Sequence, residues 1–256
     1  SGPSAGGLYP TEIYVIAEDY LGLEDGVYNF QVLSQSLIQI QKGKFKEKLF
    51  EATFKNPAIQ SGNLTLVLTS VFFRSSWRYQ DRAYRRICLD TGHILGNIDL
   101  ISFPCGFKAV AVGGFNDKAI NNILELDENE EQGLALISLT DKNNKEANDF
   151  PKALPSRLDS TDIKTPEGNR LIQLHNRSTM EKYVAVPNIK IDDLEKKILF
   201  CPKVSFDENN VDFNWKQSLY TTLLKRRSTR AFSGESISKE ELGAILDFGY
   251  HPELFS

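Results

Sequence analysis

Residues 64–73 read Leu-Thr-Leu-Val-Leu-Thr-Ser-Val-Phe-Phe, and no other segment limits the available folds as strongly. A run this rich in apolar and β-branched side chains, and too short for a bilayer span, predicts a central strand buried on both faces. The rest of the sheet must be assembled around it. The segment Thr11-Glu12-Ile13-Tyr14-Val15-Ile16-Ala17 follows a Gly- and Pro-rich turn and is β-branched and aromatic, which predicts a strand. Residues 26–30 and 37–41 alternate polar with apolar and are separated by turn residues, as in a small antiparallel set. Residues 45–54 have helical spacing.

The next long element is a helix. Between Arg82 and Ile101 the residues Tyr84, Ile87, Cys88, Ile94, Leu95, Ile98 and Ile101 fall on one stripe at 3.6 periodicity. Arg82, Arg86, Asp90, His93 and Asn97 recur three or four apart and share the opposite, polar face. Pro104 and Gly106 end the helix. Residues 107–112 read as a strand, Asn116 as the N-cap of a helix carrying Ile120, Ile123 and Leu124, and residues 134–139 as a returning strand. Strands with interposed helices in this order predict an α+β domain.

From about residue 140 to 165 the composition turns to Asp, Asn, Lys, Pro and Ser, a linker by composition. Helical spacing resumes at Leu219, Leu223 and Leu224 and leads into Lys225-Arg226-Arg227-Ser228-Thr229-Arg230. A further helix starts at Ser238, which forms a capping box with Glu241 and places Leu242, Ile245 and Leu246 on its apolar face.

Charge and cysteine usage exclude several classes of function. With 30 Lys and Arg against 34 Asp and Glu, the net charge of −4 offers no basic surplus for nucleic acid or anionic membranes. No apolar run approaches the roughly 18 residues of a bilayer span, so a cytoplasmic protein is expected. The three cysteines, Cys88, Cys105 and Cys201, and three histidines lack metal-ligand spacing; the thiols read as reduced core residues and no metal is expected.

Three segments resemble the nitroreductase superfamily of flavoproteins, and within it the SagB-type dehydrogenase branch that includes the azoline oxidases of peptide-modifying pathways. Pro3-Ser4-Ala5-Gly6-Gly7-Leu8-Tyr9-Pro10 and the strand after it look like that branch's flavin-side turn. Arg78-Tyr79-Gln80-Asp81-Arg82-Ala83-Tyr84-Arg85, with Asp90-Thr91-Gly92-His93 and Asn97, resembles the motif leading into its central helix. Val110-Ala111-Val112-Gly113-Gly114-Phe115-Asn116-Asp117 is similar to its second flavin-contacting loop. Arg226-Arg227-Ser228-Thr229-Arg230-Ala231-Phe232-Ser233-Gly234 resembles the superfamily's flavin phosphate motif, which should precede the Pro-Ser-Ala-Gly-Gly turn rather than follow it.

The resemblance implies a three-layer fold with a central mixed, mainly antiparallel sheet flanked by helices, and FMN as cofactor. The inverted motif order, with an opening at Ser1-Gly2-Pro3-Ser4 that lacks Met, leads us to expect a piece of a tandem protein. Residues 1–140 would be a first unit lacking its N-terminal segment, 141–214 a linker and unassigned region, and 215–256 the start of a second unit. Because the superfamily builds its flavin sites at a dimer interface, a dimer or single-chain pseudo-dimer is implied.

The candidate site residues follow. Pro3, Ser4, Ala5 and Gly6 would let backbone approach a flat ring closely, and Gly113 and Gly114 would do the same from a second loop. The plainer alternative is that each is a turn. Arg226, Arg227, Ser228 and Arg230 are a donor set suited to a phosphate monoester, or else a basic cluster complementing a helix C-terminus. Tyr79, Arg78 and His93 are the catalytic candidates, with a solvated loop pair as the plainer alternative for Arg78 and Tyr79. Azoline oxidases have a Lys-Tyr pair where this chain has Arg78-Tyr79, and arginine does not give up its proton to act as a base. His93 suits proton transfer near neutral pH or, alternatively, an interface.

The leading expectation is an FMN-dependent oxidoreductase transferring two electrons as hydride, acting on a small molecule or a peptide. The alternatives are an NAD(P)H-dependent nitro or quinone reductase and a catalytically degenerate flavin- or peptide-binding scaffold.

Overall fold

The computed structural model describes residues 2–141, 170–183, 218–227, 229, 231 and 233–249 of the 256. The chain divides into two units, Gly2–Val184 and Ala185–Ser256. Among the described residues no helix is long and apolar enough to cross a membrane.

The first unit is built on six strands: β1 (Thr11–Ala17), β2 (Gly26–Gln31), β3 (Ser36–Lys42), β4 (Leu64–Val71), β5 (Phe107–Val112) and β6 (Glu131–Asp141). They lie in the order β3-β2-β1-β4-β6-β5. β4 sits between β1 and β6, the central place its composition requires, with Val67, Leu68, Thr69 and Ser70 all fully buried. As the mainly antiparallel expectation requires, each neighbouring pair among the described residues is antiparallel. The connection between β5 and β6 explains this, because its helix does not carry the chain back to the same end of the sheet and β6 returns antiparallel to β5.

Helices cover both faces. On one, α1 (Lys46–Ala52), α2 (Pro57–Ser61) and α5 (Asp117–Leu124) bury Leu49, Ile59, Ile120 and Leu124 against Tyr14, Val27, Val67 and Leu136. Asn116 caps α5 by accepting the Ala119 N–H at 3.0 Å. On the other face run α3 (Phe73–Tyr79), the 20-residue α4 (Ala83–Ser102) and α6 (Arg170–Asn176). Phe72, Ala83, Ile87 and Leu171 form that core, all fully buried. At about 1.5–3 kcal/mol for each large apolar side chain buried, this small cluster is enough to seat α6. α6 belongs to the first unit.

The buried stripe of α4 differs from the one read from periodicity. It passes through Ala83, Ile87, Asp90 and Thr91, so Cys88 falls at its rim and is exposed; Cys105, after the helix, is exposed as well. The two thiols are not the core residues expected, and Cys201 lies outside the described residues.

In the second unit, Ser218 caps α7 (Leu219–Lys225) by accepting the Thr221 N–H. The capping box of α8 (Lys239–Gly249) forms as its spacing predicts, with Ser238 N–H donating to Glu241 Oε2 at 2.9 Å and Glu241 N–H to Ser238 Oγ at 3.1 Å. Its expected apolar face is open: Leu242, Ile245 and Leu246 are 39%, 61% and 52% exposed.

Candidate functional site

The Gly-rich segment at residues 3–7 is fixed by hydrogen bonds to α4. Ser4 is extended, and Gly6 and Gly7 then take φ of 66° and 67°, left-handed values that cost glycine little. The Ser4 hydroxyl donates to Asp90 Oδ2 at 2.7 Å and accepts the Tyr9 N–H at 2.9 Å. The Ala5 N–H donates to both Asp90 oxygens at 3.2 Å. Asp90 is only 6% exposed, and these charge-assisted bonds offset the cost of taking its carboxylate out of water. Gly2 lies against Ile94 and Asn97 one and two turns on, where a Cβ would stand 3.1 Å and 3.7 Å from their side chains. Arg74 on α3 holds the far end of the segment, donating to the Tyr9 carbonyl and pairing with Glu12.

The polar face read from the sequence is therefore the bed on which this segment lies. Asp90, placed on that face by its spacing, is its buried anchor. Helical spacing reveals a shared face but not what covers it.

Arg78 and Tyr79 are brought to the same segment. A Cβ built on Gly6 would be 2.6 Å from the Tyr79 hydroxyl and 3.2 Å from Arg78 Nη1, so glycine is required by contact as well as by φ. Two guanidinium groups stand over the Tyr79 ring, Arg86 at 4.1 Å from its centroid and Arg78 at 5.6 Å. Among the described residues no carboxylate pairs with Arg78 or Arg86. His93 is exposed beside this bed, and no contact ties it to the segment.

Gly113 and Gly114 occupy a second place. Neither has positive φ, and a Cβ on either would meet nothing within 4 Å, so local geometry does not demand glycine and the space before them is open. Gly113 borders a cavity of about 250 Å³ lined also by Thr91, Gly92 and Leu95 of α4 and by Leu134 and Ala135 of β6. None of residues 3–7 lines this cavity.

His175 of α6, together with Tyr84, Cys88 and Ser178, closes the cavity. His175 is 3% exposed, 5.3 Å from the Phe72 ring, with Nδ1 3.3 Å from the Tyr84 hydroxyl and Nε2 without a partner among the described residues. Burial pushes its imidazole down to about 4, so it is neutral. Asp117 pins the segment after α6, accepting the Met180 N–H at 2.6 Å and donating its own N–H to the Met180 carbonyl at 3.2 Å. Burial raises the Asp117 carboxyl. α6 falls within residues 141–214, where the sequence predicts no element, because a seven-residue helix has too few turns to display a period.

Of the phosphate candidates, Arg226 and Arg227 lie exposed just after α7 in the second unit. Arg227 donates to the carbonyls of Leu224 and Arg226, the helix C-terminal use weighed from the sequence. Ser228 and Arg230 lie outside the described residues. Among the described residues no group of His, Cys, Asp or Glu is placed to hold a metal ion.

Comparison with known proteins follows the first unit closely. The family model described as "Nitroreductase family" matches residues 2–139. The Methanocaldococcus jannaschii protein MJ1384, provisionally named a nitroreductase, is 33% identical over 126 residues, covering 49% of this chain and 64% of its own. The Microcin B17-processing protein McbC of Escherichia coli is 26% identical over 132 residues, covering 49% and 48%. A crystal structure of a provisionally named nitroreductase from Anabaena variabilis superposes with a TM-score of 0.75 at 38% identity, over 98% of this chain and 51% of that one. The chain thus spans from about half to under two thirds of the length of these relatives.

Proposed function

Because the chain belongs to the nitroreductase family, we propose that it forms part of an FMN-dependent oxidoreductase of the SagB-type dehydrogenase class. The observation that carries this reading is the Tyr79 hydroxyl held against Gly6 of a segment anchored by Asp90, with the guanidinium groups of Arg78 and Arg86 close to the ring. The open surface at Gly113 and Gly114 supports the same cofactor. FMN, when bound, supplies two-electron chemistry by accepting or donating hydride.

The chain's own residues position and protect. Backbone at residues 3–7 and at Gly113 and Gly114 would approach the flat ring system; in the second unit, taken by itself, Arg226, Arg227, Ser228 and Arg230 are a donor set suited to a phosphate monoester. Arginine stays protonated, so Tyr79 is the member of the Arg78-Tyr79 pair able to hold or move a proton, at its phenolic oxygen. Arg78 supplies charge beside it. Leu89, His93, Gly96 and Leu100 form an exposed stripe of α4 at alternating spacings of four and three, which supports completion of the site across a dimer or pseudo-dimer and gives His93 an interface role. The relationship to McbC supports a peptide as one class of substrate.

An absorbance spectrum of the purified full-length protein and of its heat-released supernatant, with the chromophore weighed by mass spectrometry, tests the reading. Flavin bands and FMN are expected; a colourless protein that cannot be reconstituted points to the degenerate scaffold. Bleaching on addition of NADH or NADPH identifies the reductase alternative. Tyr79→Phe should retain flavin and lose about 100-fold in turnover, the ordinary worth of a positioned proton donor or acceptor.

A further inference from the structure

We propose that Arg86 is a positioning residue for Tyr79, an inference that rests on the reading above and extends it to a side chain outside the family resemblance in role. Tyr79 closes α3, Gln80 follows it with φ 49°, and the Tyr79 side chain packs in part against the Phe72, Ala83, Ile87 and Leu171 cluster. Two further contacts bound the side chain. Gly6 bounds it at the hydroxyl, since even a methyl group there would stand 2.6 Å away. Arg86 bounds its face: the guanidinium carbon is 4.1 Å from the ring centroid, within stacking range and closer than Arg78 at 5.6 Å.

Arg86 is free to do this. It is exposed, and among the described residues it has no carboxylate partner that would draw the guanidinium elsewhere. A planar guanidinium can lie flat on a ring where an ammonium presents only a point charge. Its place in the helix also matters. Asp90, one turn later on the same face, anchors Ser4 and Ala5, so residues four apart on one rigid helix fix the ring and the segment its hydroxyl faces.

The experiment uses the full-length protein with ring-13C-labelled tyrosine, Tyr79 being assigned by its disappearance in Tyr79→Phe. Arg86→Met should shift the Tyr79 ring resonances and lower kcat about tenfold, with KM for the electron donor changing less than about twofold; Arg86→Lys should recover part of both. Arg85→Met, a neighbouring exposed arginine with no ring contact, should change neither. Circular dichroism of each variant separates misfolding from misplacement, and the exposed position makes Arg86→Lys a safe second variant. Unchanged Tyr79 resonances in Arg86→Met, or a kcat equal to that of the parent, overturn the proposal. Absence of bound FMN overturns the flavin reading instead, and the resonances still judge the Arg86–Tyr79 contact by themselves.

Discussion

Two stretches of chain cover α4, and they are held there by different forces. Residues 3–7 are tied by hydrogen bonds to one buried carboxylate and are otherwise largely solvent-facing, with Gly6 and Gly7 exposed. Helix α6 is tied by packing, with Leu171 fully buried and His175 nearly so. Specific polar anchoring leaves the first stretch accessible and fixed in detail; apolar burial makes the second a lid whose worth is mostly stability. The candidate chemistry lies with the first, where charge and a proton-bearing oxygen meet open space.

The contrast can be broken most forcefully at Leu171. Leu171→Ala should cost about 3 kcal/mol of unfolding free energy, measured by urea titration, because it removes a fully buried side chain from a small cluster. A loss under half of that would mean α6 is not seated by packing. Acid should act through the same helix. His175 titrates near 4 when folded against an ordinary 6.5, so between these values the unfolded chain binds a proton that the folded chain does not. His175 should therefore lower stability by about 3 kcal/mol as pH drops from about 6.5 towards 4, against the opposite contribution of the raised Asp117 and Glu131 carboxyls, so the parent should lose more stability over this range than His175→Leu. Identical pH profiles for the parent and His175→Leu would refute the neutral buried imidazole.

The first stretch should respond locally. Asp90→Asn weakens charge-assisted bonds, and the amides of Ala5 and Tyr9 should exchange with solvent faster by about 2 kcal/mol of local opening, followed by NMR. The smallest effect sharpens the comparison between the glycines. Gly6→Ala meets Tyr79 and a left-handed φ, and should cost about 1–2 kcal/mol by denaturant titration; Gly113→Ala meets nothing and should cost under about 0.5 kcal/mol while weakening FMN binding. Equal costs at the two positions would remove the distinction.

Much of this was legible in the sequence because it depended on local patterns. The limits of β5, the cap at Asn116 and the Ser238–Glu241 box each follow from a few neighbouring residues, and the face shared by Arg86, Asp90, His93 and Asn97 follows from helical geometry. What the sequence withheld was what meets what across the fold. Nothing near Asp90 announces Ser4, 86 positions away, and nothing near Tyr84 announces His175. Gly6 and Gly113 read alike in sequence, and only the neighbours of each, a phenol or empty space, tell them apart.

The antiparallel order of the sheet has a consequence for synthesis on the ribosome. β4, the most apolar strand, can pair with β1 as soon as it is made, but its other edge waits for β6, which begins roughly sixty residues later. At ordinary translation rates that is several seconds during which a nascent chain displays an unpaired hydrophobic edge. Nascent-chain chaperones should find their strongest hold here, and codon choice between residues 72 and 130 should affect soluble yield more than elsewhere in the gene.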